Sequence, residues 1–234
     1  MMKIFFKGFN YSQDGPGNRL VYHLQGCNMR CPWCSNPEGM SFDGGTEHGV
    51  EDIVRECVRS RAMFFSGGGV TFTGGEATMQ WEDLVEVLKQ LRAAKIHTAI
   101  ETNGTSPRLP QIQEHVDYLM MDFKHYDNDA FLKFTGVGIE PLLQNYEYLC
   151  HIGRQLHIRI PLINHVNAED PIGFARYLSR FDTANVVFEF LPYHEYGKKK
   201  WKTEYQMTDG FVSAEQLSRF QKVFADYHLK TIHT

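Results

Sequence analysis

The stretch that decides how this chain folds runs from Asp14 to Glu38 and reads D-G-P-G-N-R-L-V-Y-H-L-Q-G-C-N-M-R-C-P-W-C-S-N-P-E. It contains a mostly apolar run, 19–25, which is rich in Leu, Val and Tyr and predicts a β-strand. Three cysteines in a C-x3-C-x2-C spacing follow this strand directly: Cys27, Cys31 and Cys34. A thiol-rich loop of this kind indicates a metal or cluster site immediately after the strand.

The number of cysteines in this loop narrows the kind of site. Thiolates are soft ligands that suit zinc or iron–sulfur clusters, and a structural zinc site normally closes with four protein ligands. The loop offers three, and the other two cysteines, Cys57 and Cys150, are distant in sequence. Three thiolates on a cubane cluster would leave one iron open to a small molecule. A zinc knuckle and a chance cluster of cysteines are the alternatives.

The bulk composition is that of an ordinary globular protein. Of the 234 residues, 42% are hydrophobic and 22% are charged. The length is sufficient for one large α/β domain or two small ones. The net charge of −4 argues against a broad nucleic-acid surface. The basic run around Trp201 is interpreted as a solvated loop; it comprises Lys198, Lys199, Lys200 and Lys202.

The same sequence argues for a cytoplasmic location. No apolar run is long enough to span a bilayer, and the first eight residues lack the apolar core of a signal peptide. Five cysteines, of which three lie close together, do not read as a disulfide framework. We therefore expect a protein of the reducing cytoplasm that makes no membrane contact.

Strand-like and helix-like runs alternate along the chain, which predicts a parallel sheet. The predicted strands are 19–25, 70–73, 97–101, 118–123, 156–162 and 186–191, with a last short strand at 230–233. The predicted helices are 50–60, 80–95, 129–134, 141–151, 171–180 and 214–227. Periodicity alone does not separate a barrel that closes partway from an open doubly wound sheet.

Glycines and polar residues follow the predicted strands one after another. These positions are the cysteine loop, 74–76, 102–104, Asp122 with Lys124, Arg159 within the fifth strand, and 192–194. Because active sites of barrels and open α/β sheets lie at the carboxyl ends of the strands, we expect these residues to form one common site.

The cysteine spacing resembles the cluster motif of the radical S-adenosylmethionine (radical SAM) enzymes. The flanking D-G-P-G-x-R and C-x-N-P-E segments resemble those of the glycyl-radical-enzyme activases, and the likeness extends from Asp14 to His194. It implies one 4Fe–4S cluster on Cys27, Cys31 and Cys34, whose open iron is chelated by the amino and carboxylate groups of SAM. It also favours an α/β fold, an incomplete (β/α)6 barrel of the TIM type, as a single domain over 1–234.

The T-G-G-E-A segment resembles the family motif that holds the methionine amino group of SAM. Gly74 and Gly75 let backbone approach a ligand because they carry no side chain, and Glu76 could accept from an ammonium group. Taken alone, such a segment is more often an ordinary turn.

Two cations at the ends of predicted strands are further candidates. Lys124, in D-F-K, and Arg159, in R-I-P-L, match residues that contact SAM in the resembling family. The alternative is an ion pair with Glu101, Asp122 or Glu189, since charges are rarely buried unpaired.

The remaining candidates depend on the resemblance. His194, in L-P-Y-H, matches a histidine near the adenosine, and Trp33 and Asn36 should lie against SAM, although Trp33 could equally anchor the core. Four positions match those that hold a monovalent cation in some relatives: Glu101, Thr102, Met120 and Asp122, of which Met120 could equally be core packing. Asp14 resembles the residue near the docked glycine loop of a partner, although D-G-P-G is also an ordinary turn sequence.

The resemblance implies an anaerobic radical enzyme that activates a partner. SAM would be cleaved reductively to a 5′-deoxyadenosyl radical, which takes a hydrogen from a glycine in the C-terminal loop of a glycyl radical enzyme. No side chain would act as a catalytic acid or base, because the chemistry belongs to the cofactor. A flavodoxin or ferredoxin would supply the electron. With only Cys57 between Cys34 and Gly74, the chain lacks a ferredoxin-like insert and is of the short, single-cluster type, like the activases of pyruvate formate-lyase.

Two other functions remain open. One is a radical SAM enzyme that acts on a small molecule, similar to 7-carboxy-7-deazaguanine synthase, which would need a closed polar pocket rather than a cleft for a peptide. The other is a non-catalytic metal-binding or electron-transfer module. Asn18 and Ala77 stand where Ile and Pro are frequent in the activases, which leaves the subgroup open.

Overall fold

The computed structural model describes residues 1–232, which form two compact units. The first unit comprises Met1–Asn28, Glu38–Thr102 and Ser106–Met120. The second comprises Met29–Pro37, Asn103–Thr105 and the chain from Met121 onward. This division by contacts does not test the predicted single domain over 1–234, which stays a prediction.

The first unit contains five strands that lie side by side in the order β3-β1-β2-β4-β5. Their bounds are β1 Met2–Tyr11, β2 Asn18–Leu24, β3 Thr46–His48, β4 Gly69–Gly74 and β5 Thr98–Thr102. β1 pairs antiparallel with both β2 and β3, whereas β2, β4 and β5 are parallel. The three parallel strands match the predicted ones within two residues at each end. β1 and β3 were not predicted.

The register of the parallel strands places two candidate segments at one edge. Leu24 at the end of β2 pairs with Gly74 at the end of β4. The start of the cysteine loop and the Gly74–Gly75–Glu76 segment therefore leave the sheet side by side. This is the carboxyl edge at which ligand sites of parallel sheets are built.

Three helices belong to the first unit: α1 Val50–Arg59, α2 Trp81–Ala93 and the short α3 Leu109–Ile112. α2 buries one apolar stripe at helical spacing, formed by Leu84, Val87, Leu88 and Leu91. α1 and α2 were predicted from this periodicity. α3 was not predicted, because four residues are too few to show a period.

Strand β6, Tyr118–Asp122, begins in the first unit and ends in the second. Its central residues Leu119, Met120 and Met121 are all at most 1% exposed. An unbroken run of apolar residues, with no alternation of apolar and polar positions, is typical of a strand that is covered on both faces.

In the second unit three parallel strands, β7 Leu156–Leu162, β8 Val186–Pro192 and β9 Thr231–Ile232, lie in the order β7-β8-β9. Four helices accompany them: α4 Asn128–Thr135, α5 Glu140–His151, α6 Pro171–Leu178 and α7 Ala214–Asp226. All these elements were predicted within two residues at each end, apart from the last residue of the final predicted strand, His233, which lies outside the described residues.

Side-chain caps explain where the helices of the second unit begin. Asp127 and Asp170 accept from backbone amides at the starts of α4 and α6. Ser213 and Gln216 form a capping box at the start of α7. This last helix packs Phe220 and Phe224 edge-on against Phe190 of β8, at 5.4 and 4.8 Å between ring centroids.

No helix in residues 1–232 is both long enough and apolar enough to cross a membrane.

Candidate functional site

The glycines after β4 permit a close backbone approach to the start of the cysteine loop. A Cβ on Gly74, whose φ is +121°, would come within 2.2 Å of the Leu24 nitrogen. A Cβ on Gly75 would come within 2.3 Å of the Gly39 carbonyl oxygen and 2.4 Å of the Gly26 carbonyl oxygen. The backbone nitrogens of Gly75 and Glu76 donate to Leu24 and Gly26 at 2.8 Å each. Only glycine fits at both positions.

The carboxylate of Glu76 is held in one orientation. The residue is 2% exposed, and its Oε1 accepts from the Thr78 nitrogen at 3.0 Å and from the Thr78 hydroxyl at 2.6 Å. The Thr102 hydroxyl at the end of β5 donates to the same oxygen at 2.7 Å. The structure thus brings together Glu76 and Thr102, which were predicted separately. The sequence analysis did not predict a role for Thr78. Glu76 is the N-cap of the short turn Ala77–Gln80, and an N-cap side chain accepts from a backbone amide two or three residues later, which could have indicated Thr78.

The part of the cysteine loop in the first unit is anchored by backbone and amide hydrogen bonds. Cys27 is 9% exposed, and its nitrogen donates to the Met40 carbonyl at 3.2 Å. The Gln25 side chain donates to the carbonyls of Glu38 and Ser41 at 2.9 and 2.6 Å. The segment that carries Cys27 is therefore fixed against the segment that begins at Glu38.

In the second unit the other two cysteines of the motif share a tight turn. The Cys34 nitrogen donates to the Cys31 carbonyl at 3.1 Å. The Asn36 nitrogen lies 3.4 Å from the Cys34 sulfur and donates to it. An N–H aimed at a sulfur is the kind of contact that tunes a cluster ligand. Trp33 is 9% exposed and packs on Phe134 at 5.9 Å between ring centroids, which is the arrangement expected of a core anchor.

The basic run is fastened to this turn rather than fully solvated. The Trp201 indole nitrogen donates to the Cys34 carbonyl at 3.1 Å. The Lys200 ammonium donates to the Ser35 carbonyl and to the Asn36 side-chain oxygen, at 3.1 Å each. The interpretation of this run as a solvated loop was therefore incomplete. No local sequence pattern pairs 197–202 with the cysteine motif.

The two candidate cations of the second unit both lie in ion pairs. Lys124 contacts Asp122 at 2.7 Å. Arg159 lies 3.5 Å from the carboxylate of Glu189, which His157 also contacts at 3.0 Å. The ion-pair alternative considered for both cations is thus present. Contact of Lys124 or Arg159 with SAM stays a prediction.

The last candidates lie in partly or fully buried positions. His194 stacks on Tyr196 at 4.2 Å between ring centroids, and partial burial lowers its pKa below the usual value. Asp14 accepts a hydrogen bond from the side-chain amide of Asn10. Among the proposed cation ligands, Met120 is 1% exposed, and Glu101 accepts from the Thr73 hydroxyl at 3.0 Å.

The donor set of the cysteine motif fits an iron–sulfur cluster. Cys27 and Cys31 are less than 10% exposed and Cys34 is half-buried. Within residues 1–232, no three His, Cys, Asp or Glu side chains are arranged around a single metal ion. A cluster asks for a different arrangement, because each thiolate binds its own iron. None of the five cysteines, all inside the described residues, forms a disulfide.

The chain matches known proteins over most of its length. The sequence pattern of the radical SAM superfamily matches residues 21–178. The pyruvate formate-lyase-activating enzyme of Clostridium pasteurianum is 34% identical over 204 residues, which cover 84% of this chain and 85% of that enzyme. The pyruvate formate-lyase 1-activating enzyme of Escherichia coli K12 is 34% identical over 232 residues, 94% of this chain and 93% of that enzyme.

A solved structure is similar as well. A domain of the pyruvate formate-lyase-activating enzyme of Bacteroides vulgatus has a TM-score of 0.61 and 27% identity, covering 71% of this chain and 98% of that domain. The chain therefore belongs to the radical SAM superfamily and, within it, to the family of the pyruvate formate-lyase-activating enzymes. This confirms the predicted fold class, the partial (β/α)6 barrel, and the prediction of an enzyme rather than a binding module.

Proposed function

We propose that this chain activates a glycyl radical enzyme of the pyruvate formate-lyase type by creating a radical on one glycine of its C-terminal loop. The observation that carries the proposal is the 34% identity to named activating enzymes across 94% of the chain. The alternative enzyme, which acts on a small molecule, has no comparable support in the chain.

We assign one 4Fe–4S cluster to Cys27, Cys31 and Cys34, with SAM bound beside it. Together the two would supply the radical chemistry that removes a hydrogen from the glycine α-carbon. The thiols would ligate as thiolates, which need reducing and anaerobic surroundings. For that reason we place the enzyme in the cytoplasm, with a flavodoxin or ferredoxin as its source of electrons.

Glu76 would hold the methionine end of SAM. Three donors already fix Oε1 of Glu76, so the carboxylate needs little reorganisation to accept from the amino group. The bare backbone at Gly74 and Gly75 leaves room for the ligand. Thr102 would act through Glu76, and the proposed monovalent cation would lie near Glu101 and Thr102.

Two cations and a histidine would contact other parts of SAM. Lys124 and Arg159 carry positive charge suited to its carboxylate and ribose, each balanced by the acid it already contacts. His194 would lie along the adenosine, with Trp33 and Asn36 beside the cluster ligands. Asp14 would contact the glycine loop of the partner.

The test uses protein that is purified without oxygen, reconstituted with iron and sulfide, and reduced with dithionite. SAM is added and 5′-deoxyadenosine is measured by chromatography, with and without a peptide that copies a glycine loop. We expect product that depends on Cys31, and a glycyl radical signal in electron paramagnetic resonance when the peptide or the whole partner is present. Cys31→Ala should form neither, whereas Cys57→Ala should retain both.

Two results would contradict the proposal. An intact cluster that never cleaves SAM with any reductant or partner would contradict the proposed radical chemistry. SAM cleavage that is indifferent to every glycine-loop partner, but is stimulated by a small-molecule substrate, would favour the small-molecule enzyme.

A further inference from the structure

The segment 197–202, here called the lysine segment, lies directly against the turn that carries Cys34. Trp201 and Lys200 bind backbone carbonyls of that turn, at Cys34 and Ser35, at 3.1 Å each. At the other end of the segment, a Cβ on Gly197 would come within 2.6 Å of the Cys34 carbonyl oxygen. The segment thus has a fixed position over one of the proposed cluster ligands.

The segment also presents positive charge to solvent. Lys198, Lys199, Lys200 and Lys202 are all exposed. Lys198 is paired with Glu195 at 2.9 Å. In the described part of the chain no ion pair includes Lys199 or Lys202. Local excess positive charge in a chain of net charge −4 is a feature that selects acidic partners.

We propose that the lysine segment is the docking surface for an acidic protein that carries a one-electron redox group and reduces the cluster. This inference rests on the proposed function. In the step itself the donor loses one electron and the cluster gains it, while no bond forms or breaks and no proton is required. The donor is therefore oxidised by one electron and the cluster is reduced by one electron.

Position and charge both favour an electron donor as the occupant. The rate of electron tunnelling falls steeply with distance, so an electron donor must dock close to a cluster ligand. The lysine segment contacts Cys34, which is one of the proposed ligands. The hydrogen bond from Trp201 to the Cys34 carbonyl continues into the covalent path to the cysteine sulfur. Complementary charge increases the rate of encounter with a small acidic protein more than it increases affinity.

The test compares two double variants with the same change in total charge. Lys199→Glu/Lys202→Glu reverses the segment, and Lys222→Glu/Lys230→Glu reverses two exposed lysines of the same unit at α7 and after it. The probe is flavodoxin in its hydroquinone form. Stopped-flow absorbance measures the second-order rate constant of its oxidation by the reconstituted enzyme, and calorimetry measures the binding of oxidised flavodoxin.

At low ionic strength we expect the segment variant to react about tenfold more slowly than wild type, and the control variant within about twofold. The difference should shrink at about 0.5 M salt, because screening shortens the reach of the charges. Calorimetry should show the same order of affinities, which gives a readout that does not depend on turnover.

Equal rate constants and affinities for the two double variants would overturn the inference. So would a segment variant that reacts normally with flavodoxin but fails to activate the partner enzyme, because the surface would then serve that partner. Dithionite-driven cleavage of SAM is measured on the same samples. If wild type forms no 5′-deoxyadenosine there, either with or without the glycine-loop peptide and the partner enzyme, the proposed function fails, whereas the flavodoxin comparison still decides the docking surface separately.

Discussion

The guanidinium of Arg19 donates from Nε to the Thr71 hydroxyl at 2.5 Å, and that hydroxyl donates in turn to the Asp14 carbonyl at 2.7 Å. Nη1 donates to the Pro16 carbonyl at 3.0 Å, and Nη2 to the Val70 carbonyl at 2.6 Å. Arg19 is 0% exposed, and burial lowers its pKa to about 10, so it remains charged at neutral pH. A buried cation therefore holds the D-G-P-G turn in place.

Arg19→Lys should destabilise the enzyme, because one ammonium cannot replace the planar fork of a guanidinium. Buried carbonyls and a hydroxyl would lose their donors, at a cost of about 2–4 kcal/mol of unfolding free energy. Urea denaturation followed by circular dichroism measures it. Arg61→Lys, at an exposed arginine of the same unit, should change the unfolding free energy by less than about 0.5 kcal/mol. Equal stabilities of these two variants would disprove the role of Arg19.

His97 makes the stability depend on pH. Burial first, and then the nearby Arg19, lower its pKa below the usual 6.5, while Asp117 opposes the shift. Its Nδ1 lies 3.3 Å from Nη1 of Arg19 and accepts from it. As the pH falls below 6.5, the imidazole of His97 becomes protonated in the unfolded chain, whereas in the folded chain it stays neutral to a lower pH. The stability supplied by this histidine is complete above pH 6.5 and is lost as the pH falls.

We therefore expect His97→Gln to reduce the slope of unfolding free energy against pH below about pH 6.5. Other partly buried histidines contribute to the wild-type slope, so the informative quantity is the difference between variant and wild type. His151→Gln, at an exposed histidine of α5, is the control for the loss of a histidine as such. The idea fails if the slopes of wild type and His97→Gln coincide.

Thr102→Val should weaken the binding of SAM without unfolding the protein. It removes one of the three donors that fix Oε1 of Glu76, and it leaves a buried carboxylate less well oriented. We expect the dissociation constant of SAM, measured by calorimetry on the reconstituted enzyme, to increase about tenfold. Thr135→Val, which removes an equally buried hydroxyl in α4, is the matched control. An unchanged affinity of Thr102→Val would remove Thr102 from the site.

Gly75→Ala should be far more damaging than Gly67→Ala. The added carbon at Gly75 meets backbone oxygens of Gly26 and Gly39, which side-chain motion cannot relieve. At Gly67, whose φ is +86°, nothing lies within 4 Å, so the cost is only the left-handed backbone, about 1–2 kcal/mol. Thermal unfolding should separate the two variants by several degrees. Similar melting temperatures would mean that the loops around Gly75 yield easily.

Cys31→Ala should lower the iron content and the visible absorbance of reconstituted protein, whereas Cys57→Ala should not. Cys57 is wholly buried beside Tyr22, and burial raises its pKa to about 12, so it stays a thiol. A thiol that remains protonated is a poor cluster ligand. Loss of iron in Cys57→Ala would show that the cluster is held differently from our assignment.

Much of the fold could be predicted because its signals are local. The apolar stripe of α2 and the unbroken apolar run of β6 follow from burial on one face or on both faces. β1 was missed although its first residues are buried, because Phe6, Phe9 and Tyr11 in its second half are exposed, so its apolar residues do not mark one buried face. α3 is too short to show a period. Antiparallel pairing of β1 with β3 depends on partners over 30 residues away, which no window of sequence contains.

The sequence by itself determined the class of this protein. The family is indicated by three cysteines at a specific spacing, a G-G-E segment, and polar residues that follow successive strands in a fixed order. The identity and the order of these residues can be read directly from the sequence. Only the tertiary structure decided which of these side chains are held and by what. The contacts of Glu76 with Thr102, of Arg19 with Thr71 and of Trp201 with Cys34 join residues separated by 26, 52 and 167 positions. A hydrogen bond forms between atoms about 3 Å apart in space, whatever their separation along the chain, so these residue pairs come into contact only when the chain has folded.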